Sequence, residues 1–156
     1  MLDWLFGDPL PPGAAAPAFE LDDEYGRTVT LRGLKGKPVV LVFYPGDDTT
    51  ICTQQLCEIR DDWAAFVRLK TAVYGINGQG AKSHASFKDK HKFPFPLLID
   101  KGWNISRQYH AGWGFVRRTV YVIGPDGRIV YSKRGKPSTA DILSAIEGIS
   151  SKAVTS

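Results

Sequence analysis

The chain of 156 residues contains only two cysteines and one methionine, and it has no long apolar run. No stretch approaches the roughly 20 apolar residues that a transmembrane helix needs, so we expect no membrane span. Residues 1–8 carry acids and no basic region, which is unlike a secretory signal. We therefore expect a cytoplasmic protein, in which cysteines are more often reactive or metal-binding than permanently paired.

A strong excess of one charge is also missing. The 20 Lys and Arg residues stand against 16 Asp and Glu residues, which leaves a net charge of +4. The densest basic stretch, residues 82–92, is interrupted by Asp89 and two histidines, and no recognisable binding motif accompanies it. We interpret it as a solvated helix face and expect no nucleic-acid partner.

The length and composition predict one domain over residues 1–156, with residues 1–16 as an irregular N-terminal extension. The apolar fraction of 43% and the charged fraction of 23% are typical of a globular chain with a single core. The extension is rich in Pro, Gly and Ala from Pro9 to Pro17. Its apolar group is expected to pack on the body of the protein or on a neighbouring subunit: Leu2, Trp4, Leu5 and Phe6.

Apolar patterning predicts alternating strands and helices. A hairpin is expected around residues 19–31, and the run Val39–Phe43 is typical of a strand buried on both faces. Further strands are predicted at 72–76, 97–100, 119–123 and 129–132, and helices at 50–69, 81–91, 103–109 and from Ser138 or Thr139 onward. This order predicts an α/β fold with a central mixed sheet flanked by helices on both faces. The layout is thioredoxin-like, although the order of elements alone also fits other α/β folds.

The most informative residue is Cys52, which is predicted to stand where a buried strand gives way to a helix. Unpaired backbone N–H groups and the positive end of the helix dipole favour a thiolate there. Thr49 can place a hydroxyl beside the sulfur, and Pro45 can stiffen the turn and shield the sulfur from water. Arg118, at the start of a core strand, is a candidate cation that would further favour the thiolate.

The spacing between Cys52 and Cys57 excludes a static disulfide on an intact helix. Five residues of helix separate two Cα atoms by about 8–9 Å, whereas a disulfide rarely tolerates more than about 7 Å. A bond would require the first helical turns to unwind, so one hypothesis is a switch between a reduced folded state and an oxidised, locally unfolded state. The alternative is that Cys57 is a small buried apolar residue.

The histidines do not predict a metal site. His84, His91 and His110 lack a tight ligand spacing with the two cysteines. We expect them to be surface or partly buried residues, and we expect no metal site.

The residues around Cys52 resemble a known family. Pro45-x-x-x-Thr49-x-x-Cys52 is similar to the active-site motif of peroxiredoxins, and residues 43–49 resemble the bacterioferritin comigratory protein/peroxiredoxin Q branch. A second cysteine five residues later is that branch's usual resolving position. Residues 16–21, 95–100 and 118–123 resemble further family segments, the last of which supplies a catalytic arginine. Arg118 fits that position best, and Arg117 is the fallback.

The resemblance implies a thiol-dependent peroxidase that reduces hydrogen peroxide and organic hydroperoxides. Cys52 would be oxidised to a sulfenic acid, Cys57 would form an intramolecular disulfide with it, and thioredoxin or glutaredoxin would reduce that disulfide. Thr49 and Arg118 would hold the peroxide oxygens, and no metal or organic cofactor would be needed. A monomer or dimer is expected.

Two alternative functions use the same fold. A thiol–disulfide oxidoreductase is disfavoured because the chain has no Cys-x-x-Cys motif. A redox sensor or holdase that uses the same cysteine switch stays open.

Three more residues have open roles. Arg60 could join the active-site polar network or form a surface salt bridge. Trp113 and Trp63 could line the pocket mouth or pack in the core, and core packing is favoured for Trp63.

Overall fold

The computed structural model describes residues 7–155, and side chains only through residue 149. The N-terminal apolar group (Leu2, Trp4, Leu5 and Phe6), which we predicted to pack on the body or on a neighbouring subunit, lies outside the described residues. Residues 7–16 form no helix or strand beyond an isolated antiparallel pairing of Ala15 with Arg128. The assignment of the whole chain to one domain stays a prediction.

Seven strands form one mixed sheet. They are β1 (Glu20–Asp23), β2 (Thr28–Thr30), β3 (Val39–Phe43), β4 (Ala72–Asn77), β5 (Leu97–Ile99), β6 (Thr119–Ile123) and β7 (Ile129–Arg134). Their order across the sheet is β2-β1-β5-β4-β3-β6-β7. β3, β4 and β5 run parallel, and the pairs at both sides of this centre are antiparallel. The predicted mixed sheet and the N-terminal hairpin are confirmed.

Five α-helices cover the sheet. They are α1 (Thr50–Asp61), α2 (Trp63–Arg68), α3 (Ala81–His91), α4 (Asn104–Gln108) and α5 (Thr139–Thr155). Short 3-10 turns span Arg32–Leu34 and Lys101–Trp103. Among the described residues, no helix has both the length and the apolar character that a bilayer span requires.

The alternation of β3 divides the core into two layers. Val40 and Val42 pack with side chains of α1, α2, α3 and α5, whereas Val39, Leu41 and Phe43 pack with α4 and the segment before β3. All five residues of β3 are buried, as expected for a strand covered on both faces. The predicted α/β, thioredoxin-like fold with helices on both faces of the sheet is confirmed.

The helix predicted over residues 50–69 is wrong in one respect, because it breaks at Asp62. The backbone there has φ −97° and ψ 16°, which ends α1, and α2 starts at Trp63. Aspartate disfavours helix interiors because its side chain competes for backbone hydrogen bonds. The break lets Trp63 lie against Phe66 and Phe95, with ring centroids 5.9 and 5.8 Å away.

The predicted hairpin between β6 and β7 is confirmed. The Gly124 N–H donates to the Arg128 carbonyl at 2.8 Å, and the Gly127 N–H donates to the Gly124 carbonyl at 2.9 Å. Gly127 has φ 85°, a left-handed conformation that costs glycine little. On its other side β6 pairs antiparallel with β3, and this pairing sets the geometry of the site.

Candidate active site

Cys52 lies in the first turn of α1, directly beyond the end of β3. Thr49 occupies the N-cap position with an extended backbone, and the Thr53 N–H makes an early helical bond to the Thr49 carbonyl at 2.9 Å. The Cys52 side chain is fully buried, with 0% exposure. A thiol in this position combines a dry environment with the positive end of a helix dipole.

Arg118 reaches Cys52 from the neighbouring strand. Because β6 runs antiparallel to β3, with Thr119 opposite Phe43, the residue before β6 is brought to the edge where β3 ends. The Arg118 Nη2 donates to Cys52 Sγ at 3.1 Å. Arg117, the fallback, instead donates its backbone N–H to the Ala111 carbonyl at 2.7 Å. The geometry favours Arg118, whose catalytic role stays a prediction.

Gln55 is the partner in this site that the sequence did not reveal. Its Oε1 accepts a hydrogen bond from Arg118 Nη1 at 2.8 Å, so the guanidinium bridges Gln55 and Cys52. Gln55 is 2% exposed, and its Nε2 has no hydrogen-bond partner within the described part of the chain. The one available signal was its position three residues after Cys52, which places both side chains on the same helix face.

The prediction for the Thr49 hydroxyl is not met in this structure. Thr49 Oγ1 donates to the Gly46 carbonyl at 3.2 Å, back into the loop. It makes no hydrogen bond to Cys52 within the described residues. Pro45 follows the buried Tyr44 and lies exposed on the loop surface. The roles of Thr49 in peroxide binding and of Pro45 in shielding the sulfur stay predictions.

Cys57 lies on the same unbroken helix as Cys52, and both thiols are free. Cys57 is partly buried and packs against the core layer that contains Cys52. Burial raises the pKa of the Cys57 thiol, while the nearby Arg60 lowers it and Asp61 raises it. A protonated, partly buried thiol fits both interpretations of Cys57, as a resolving residue and as a small apolar side chain.

The structure decides the open roles of Arg60 and Trp63 and part of that of Trp113. Arg60 binds the His91 carbonyl at 2.6 Å and pairs with Asp61 at 3.0 Å, so it ties α1 to α3 and forms no bond with Cys52. Trp63 packs in the core, as favoured from the sequence. Trp113 is 60% exposed, which excludes core packing for it and leaves its pocket-lining role as a prediction.

A buried polar network holds the loop that precedes Cys52. Asp47 accepts hydrogen bonds from the Tyr44 hydroxyl at 2.6 Å and the Ser83 hydroxyl at 2.6 Å, and it pairs with His84 Nδ1 at 2.7 Å. Burial raises the pKa of the Asp47 carboxyl, but hydrogen bonds from His84, Ser83 and Tyr44 outweigh burial and bring it below its ordinary value of 3.8. Burial, followed by the charge of Asp47, holds the pKa of Tyr44 well above its ordinary range.

His84 corrects the expectation of a surface or partly buried histidine, since its side chain is 0% exposed. Its Nδ1 faces the Asp47 carboxylate, and its Nε2 faces the Leu98 carbonyl at 2.9 Å. Both partners are acceptors when Asp47 is ionised, so both hydrogen bonds form only if the ring carries two protons. His84 is then the buried counterion of Asp47. Among the described residues, no group of three or more His, Cys, Asp or Glu side chains could hold a metal ion.

We expect His84→Leu to lower the free energy of unfolding by about 3–5 kcal/mol at neutral pH, because it leaves the buried Asp47 carboxylate without its cation. The folded-state pKa of Asp47 is lowered, so its stabilisation is present above its unfolded value of 3.8 and is lost as the pH falls through the folded value. The difference in the free energy of unfolding between wild type and variant should therefore become smaller at acidic pH. Urea unfolding of both proteins at several pH values measures this difference.

His91→Leu is the matched control, because His91 lies on the same helix. Its Nε2 is 3.8 Å from Asp48 Oδ1, and the Asp48 side chain is 49% exposed. A pair of this kind contributes about 1 kcal/mol or less. Equal losses in the two variants would contradict the assignment of His84 as the counterion of Asp47.

Known proteins of one family are similar to this chain. The model of the AhpC/TSA family matches residues 12–132. A chloroplastic peroxiredoxin Q of Oryza sativa subsp. japonica is 41% identical over 127 residues, which cover 76% of this chain and 57% of the relative. Peroxiredoxin Bcp of Bacillus subtilis is 32% identical over 152 residues, which cover 90% of this chain and 97% of the relative. The chain thus spans less than two thirds of the length of the plant relative.

A solved structure has the same fold. Peroxidoxin BcpB from Mycobacterium tuberculosis superposes with a TM-score of 0.85 at 28% identity. The match covers 90% of this chain and 98% of that chain.

Proposed function

The chain belongs to the AhpC/TSA family, in its peroxiredoxin Q/Bcp branch, and from this premise we propose that it is a thiol peroxidase with Cys52 as the attacking residue. The supporting observation is the contact between Arg118 Nη2 and the buried Cys52 Sγ, 3.1 Å apart at the N-terminus of α1. The guanidinium and the helix dipole both favour the thiolate. The substrates are hydrogen peroxide and organic hydroperoxides.

In the first step, the Cys52 thiolate attacks one peroxide oxygen and the O–O bond breaks. The departing oxygen takes up a proton and leaves as water or an alcohol, and Cys52 becomes a sulfenic acid. The negative charge that develops on the departing oxygen needs hydrogen-bond donors. Arg118 and backbone N–H groups of the first turn of α1 supply them, with the Thr49 hydroxyl after rotation away from Gly46.

In the second step, Cys57 attacks the Cys52 sulfenic sulfur, water leaves, and a disulfide forms. The intact α1 keeps the two Cα atoms about 8–9 Å apart, so its first turns unwind before this bond can form. Unwinding releases both hydrogen bonds of the Arg118 guanidinium and exposes Cys52 and Leu56. A dithiol of thioredoxin or glutaredoxin then reduces the disulfide by exchange.

Contacts directly after Cys57 confine this opening to the N-terminal part of α1. Glu58 pairs with Lys136 at 2.8 Å, Ile59 is 1% exposed in the core, and Arg60 binds the His91 carbonyl at 2.6 Å. These contacts fasten residues 58–60 to the loop after β7, to the core and to α3. The segment that must unwind therefore ends at Cys57, and its unwinding allows the Cys57 thiol to reach Cys52.

The proposed function is tested by mixing the reduced protein with one equivalent of hydrogen peroxide and following peroxide loss. We expect consumption within seconds, one peroxide for each protein molecule. Consumption over hours would favour the redox sensor or holdase alternative. The cytoplasmic location and the oligomeric state, a monomer or a dimer, stay predictions. Measuring the mass of the reduced and the oxidised protein in solution tests the oligomeric state.

Cys57→Ser is expected to keep one turnover and to lose recycling. The variant retains the Cys52 thiolate site, so the first peroxide is reduced at the wild-type rate. Without the Cys57 thiol no intramolecular disulfide forms, and thioredoxin has no disulfide to reduce. Loss of peroxide should stop after one equivalent, with no oxidation of NADPH through thioredoxin and its reductase. Sustained cycling in this variant would make Cys57 a packing residue.

A further inference from the structure

The side chains at the start of β6 point to opposite faces of the sheet. Successive residues of a strand alternate, and Val120 belongs to the core layer of Cys52, whereas Tyr121 belongs to the other layer. Arg118 reaches Cys52 on the first face. Thr119 therefore lies on the opposite face, and a group that binds it acts on Arg118 through the backbone between them.

On that opposite face, the Thr119 hydroxyl connects Arg134 of β7 to the Arg117 carbonyl. Arg134 lies directly opposite Thr119 in the antiparallel ladder, and its Nη1 donates to Thr119 Oγ1 at 2.6 Å. Thr119 Oγ1 donates in turn to the Arg117 carbonyl at 2.8 Å. A guanidinium has donors and no acceptor, so the bond from Arg134 leaves the single hydroxyl proton for the Arg117 carbonyl. Arg134 thus fixes the direction of that proton.

The Arg134 guanidinium is also anchored to the N-terminal extension. Its Nη2 donates to the Gly7 carbonyl at 2.7 Å, and the planar fork of an arginine holds two acceptors in one fixed geometry. The next residue, Gly135, donates its N–H to the Arg118 carbonyl at 2.7 Å. The two peptide groups that flank the Arg118 α-carbon are therefore both held from the end of β7.

This hold matters because the contact that it places is short. Arg118 Nη2 lies 3.1 Å from Cys52 Sγ, and a misplacement of about 1 Å in an active site can lower a rate by about 10²-fold. Thr119 is 0% exposed, so its hydroxyl lacks bulk water as an alternative partner. Loss of the bond from Arg134 therefore frees the hydroxyl to turn away from the Arg117 carbonyl.

We propose that Arg134 is a positioning residue, which places Arg118 against Cys52 through the Thr119 hydroxyl and the backbone that joins them. Its effect on the rate of peroxide reduction rests on the proposed function, whereas its effect on the Cys52 thiolate does not.

Arg134 acts through position and not through contact with the sulfur. Among the described residues, the charged or titratable groups that face Cys52 are Arg118 and the Tyr44 hydroxyl, with the pair of Asp47 and His84 behind Tyr44.

Thr119→Val tests the link without changing any charge, because valine keeps the shape of threonine and removes the hydroxyl. We expect the rate constant for hydrogen peroxide to fall about tenfold. The midpoint of thiolate formation should rise by about half a pH unit, because the guanidinium no longer lies closest to the sulfur. Ultraviolet absorbance against pH measures this midpoint in the Cys57→Ser background, after subtraction of a protein that lacks both cysteines. Arg134→Met should give the same two results.

Arg128→Met is the matched control for Arg134→Met. Arg128 Nη1 donates to the Gly13 carbonyl at 2.9 Å, so this variant removes the same charge and releases the N-terminal extension at the opposite end of β7. We expect the rate constant to change by less than about twofold in Arg128→Met. Equal losses in the two variants would make Arg134 only an anchor of the extension and would overturn the proposal.

Two further variants separate positioning from a structural role. Thr119→Val and Arg134→Met interrupt the same chain of bonds, so the double variant should lose about tenfold in rate and not about a hundredfold. Arg134→Lys keeps the charge and reaches one of the two acceptors, so it should restore part of the rate lost in Arg134→Met. A purely structural role would lower the temperature of thermal unfolding without this pattern in the rate constant and the midpoint.

A wild-type rate constant and thiolate midpoint in Thr119→Val and Arg134→Met would overturn the proposal, as would losses that multiply in the double variant. If Arg134→Met does not fold, Thr119→Val and Arg134→Lys provide the same comparison. A wild-type protein that forms the thiolate but reduces no peroxide would instead contradict the proposed function, and the midpoints would still test the placement of Arg118.

Discussion

Cys52→Ser is expected to abolish peroxide reduction, with a loss of at least roughly three orders of magnitude. Serine at the start of α1 retains the shape of the site, but its hydroxyl does not ionise at neutral pH and forms no sulfenic acid. The partner of Arg118 at 3.1 Å then carries no charge, so the site has neither nucleophile nor redox group. Cys57 does not substitute for it, because its pKa is raised by burial and Arg118 does not contact it.

The measurement is the loss of hydrogen peroxide after it is mixed with one equivalent of the reduced protein. Cys57→Ser is the control, since it removes the other thiol of the same helix and should retain one turnover. Thermal unfolding confirms that both variants are folded. Peroxide reduction by Cys52→Ser at a tenth of the wild-type rate or more would move the reactive thiol away from Cys52.

Arg118→Met should lower the rate constant for hydrogen peroxide by about 10²–10³-fold, the effect of removing one preorganised donor from a developing oxyanion. The substitution keeps the aliphatic length and removes the donors to Cys52 Sγ and Gln55 Oε1. Less thiolate forms at neutral pH, so part of the loss should be recovered as the pH rises. Rapid mixing with peroxide over a range of pH separates the two effects.

Arg117→Met is the matched control, because it removes the same charge from the adjacent position. A larger loss in Arg117→Met would return the catalytic assignment to the fallback residue. Arg118→Lys refines the test. Lysine keeps the charge but not the planar fork that bridges two acceptors, so we expect partial activity in that variant.

The sequence predicted the elements whose patterns are local. The apolar run of β3 and the bounds of α3 lie where their patterns placed them, because burial on two faces and helical periodicity leave direct marks in a short window. The turn at Gly124–Gly127 is likewise encoded by its own residues. Arg118 was a candidate partner of Cys52 from its place at the start of a core strand and from the family resemblance, since no local pattern joins residues 66 apart.

What the sequence did not predict depends on contacts between distant elements. The break at Asp62 is accompanied by the packing of Trp63 on Phe95, a contact between residues 32 apart in sequence. The burial of His84 depends on Asp47, 37 residues away, and neither residue alone indicates an ion pair. Gln55 is an ordinary helical residue until Arg118 is placed beside it.

The direction of the Thr49 hydroxyl was missed for a different reason. The hydroxyl of an N-cap residue can donate to any of several nearby acceptors, and here the Thr49 hydroxyl donates to the Gly46 carbonyl. Rotation about one side-chain bond changes that partner. Sequence spacing locates such a group near a site but does not fix which oxygen it meets.

The central claim is that Cys52 reduces a peroxide and that α1 opens to join it to Cys57. The most direct test is mass spectrometry of the reduced protein after reaction with one equivalent of hydrogen peroxide, with peptide mapping of the product. We predict loss of two hydrogens, a peptide bridge between Cys52 and Cys57, and one added oxygen on Cys52 in the Cys57→Ser variant. Unreacted peroxide with both thiols free, or an added oxygen on Cys57 instead, would contradict the claim.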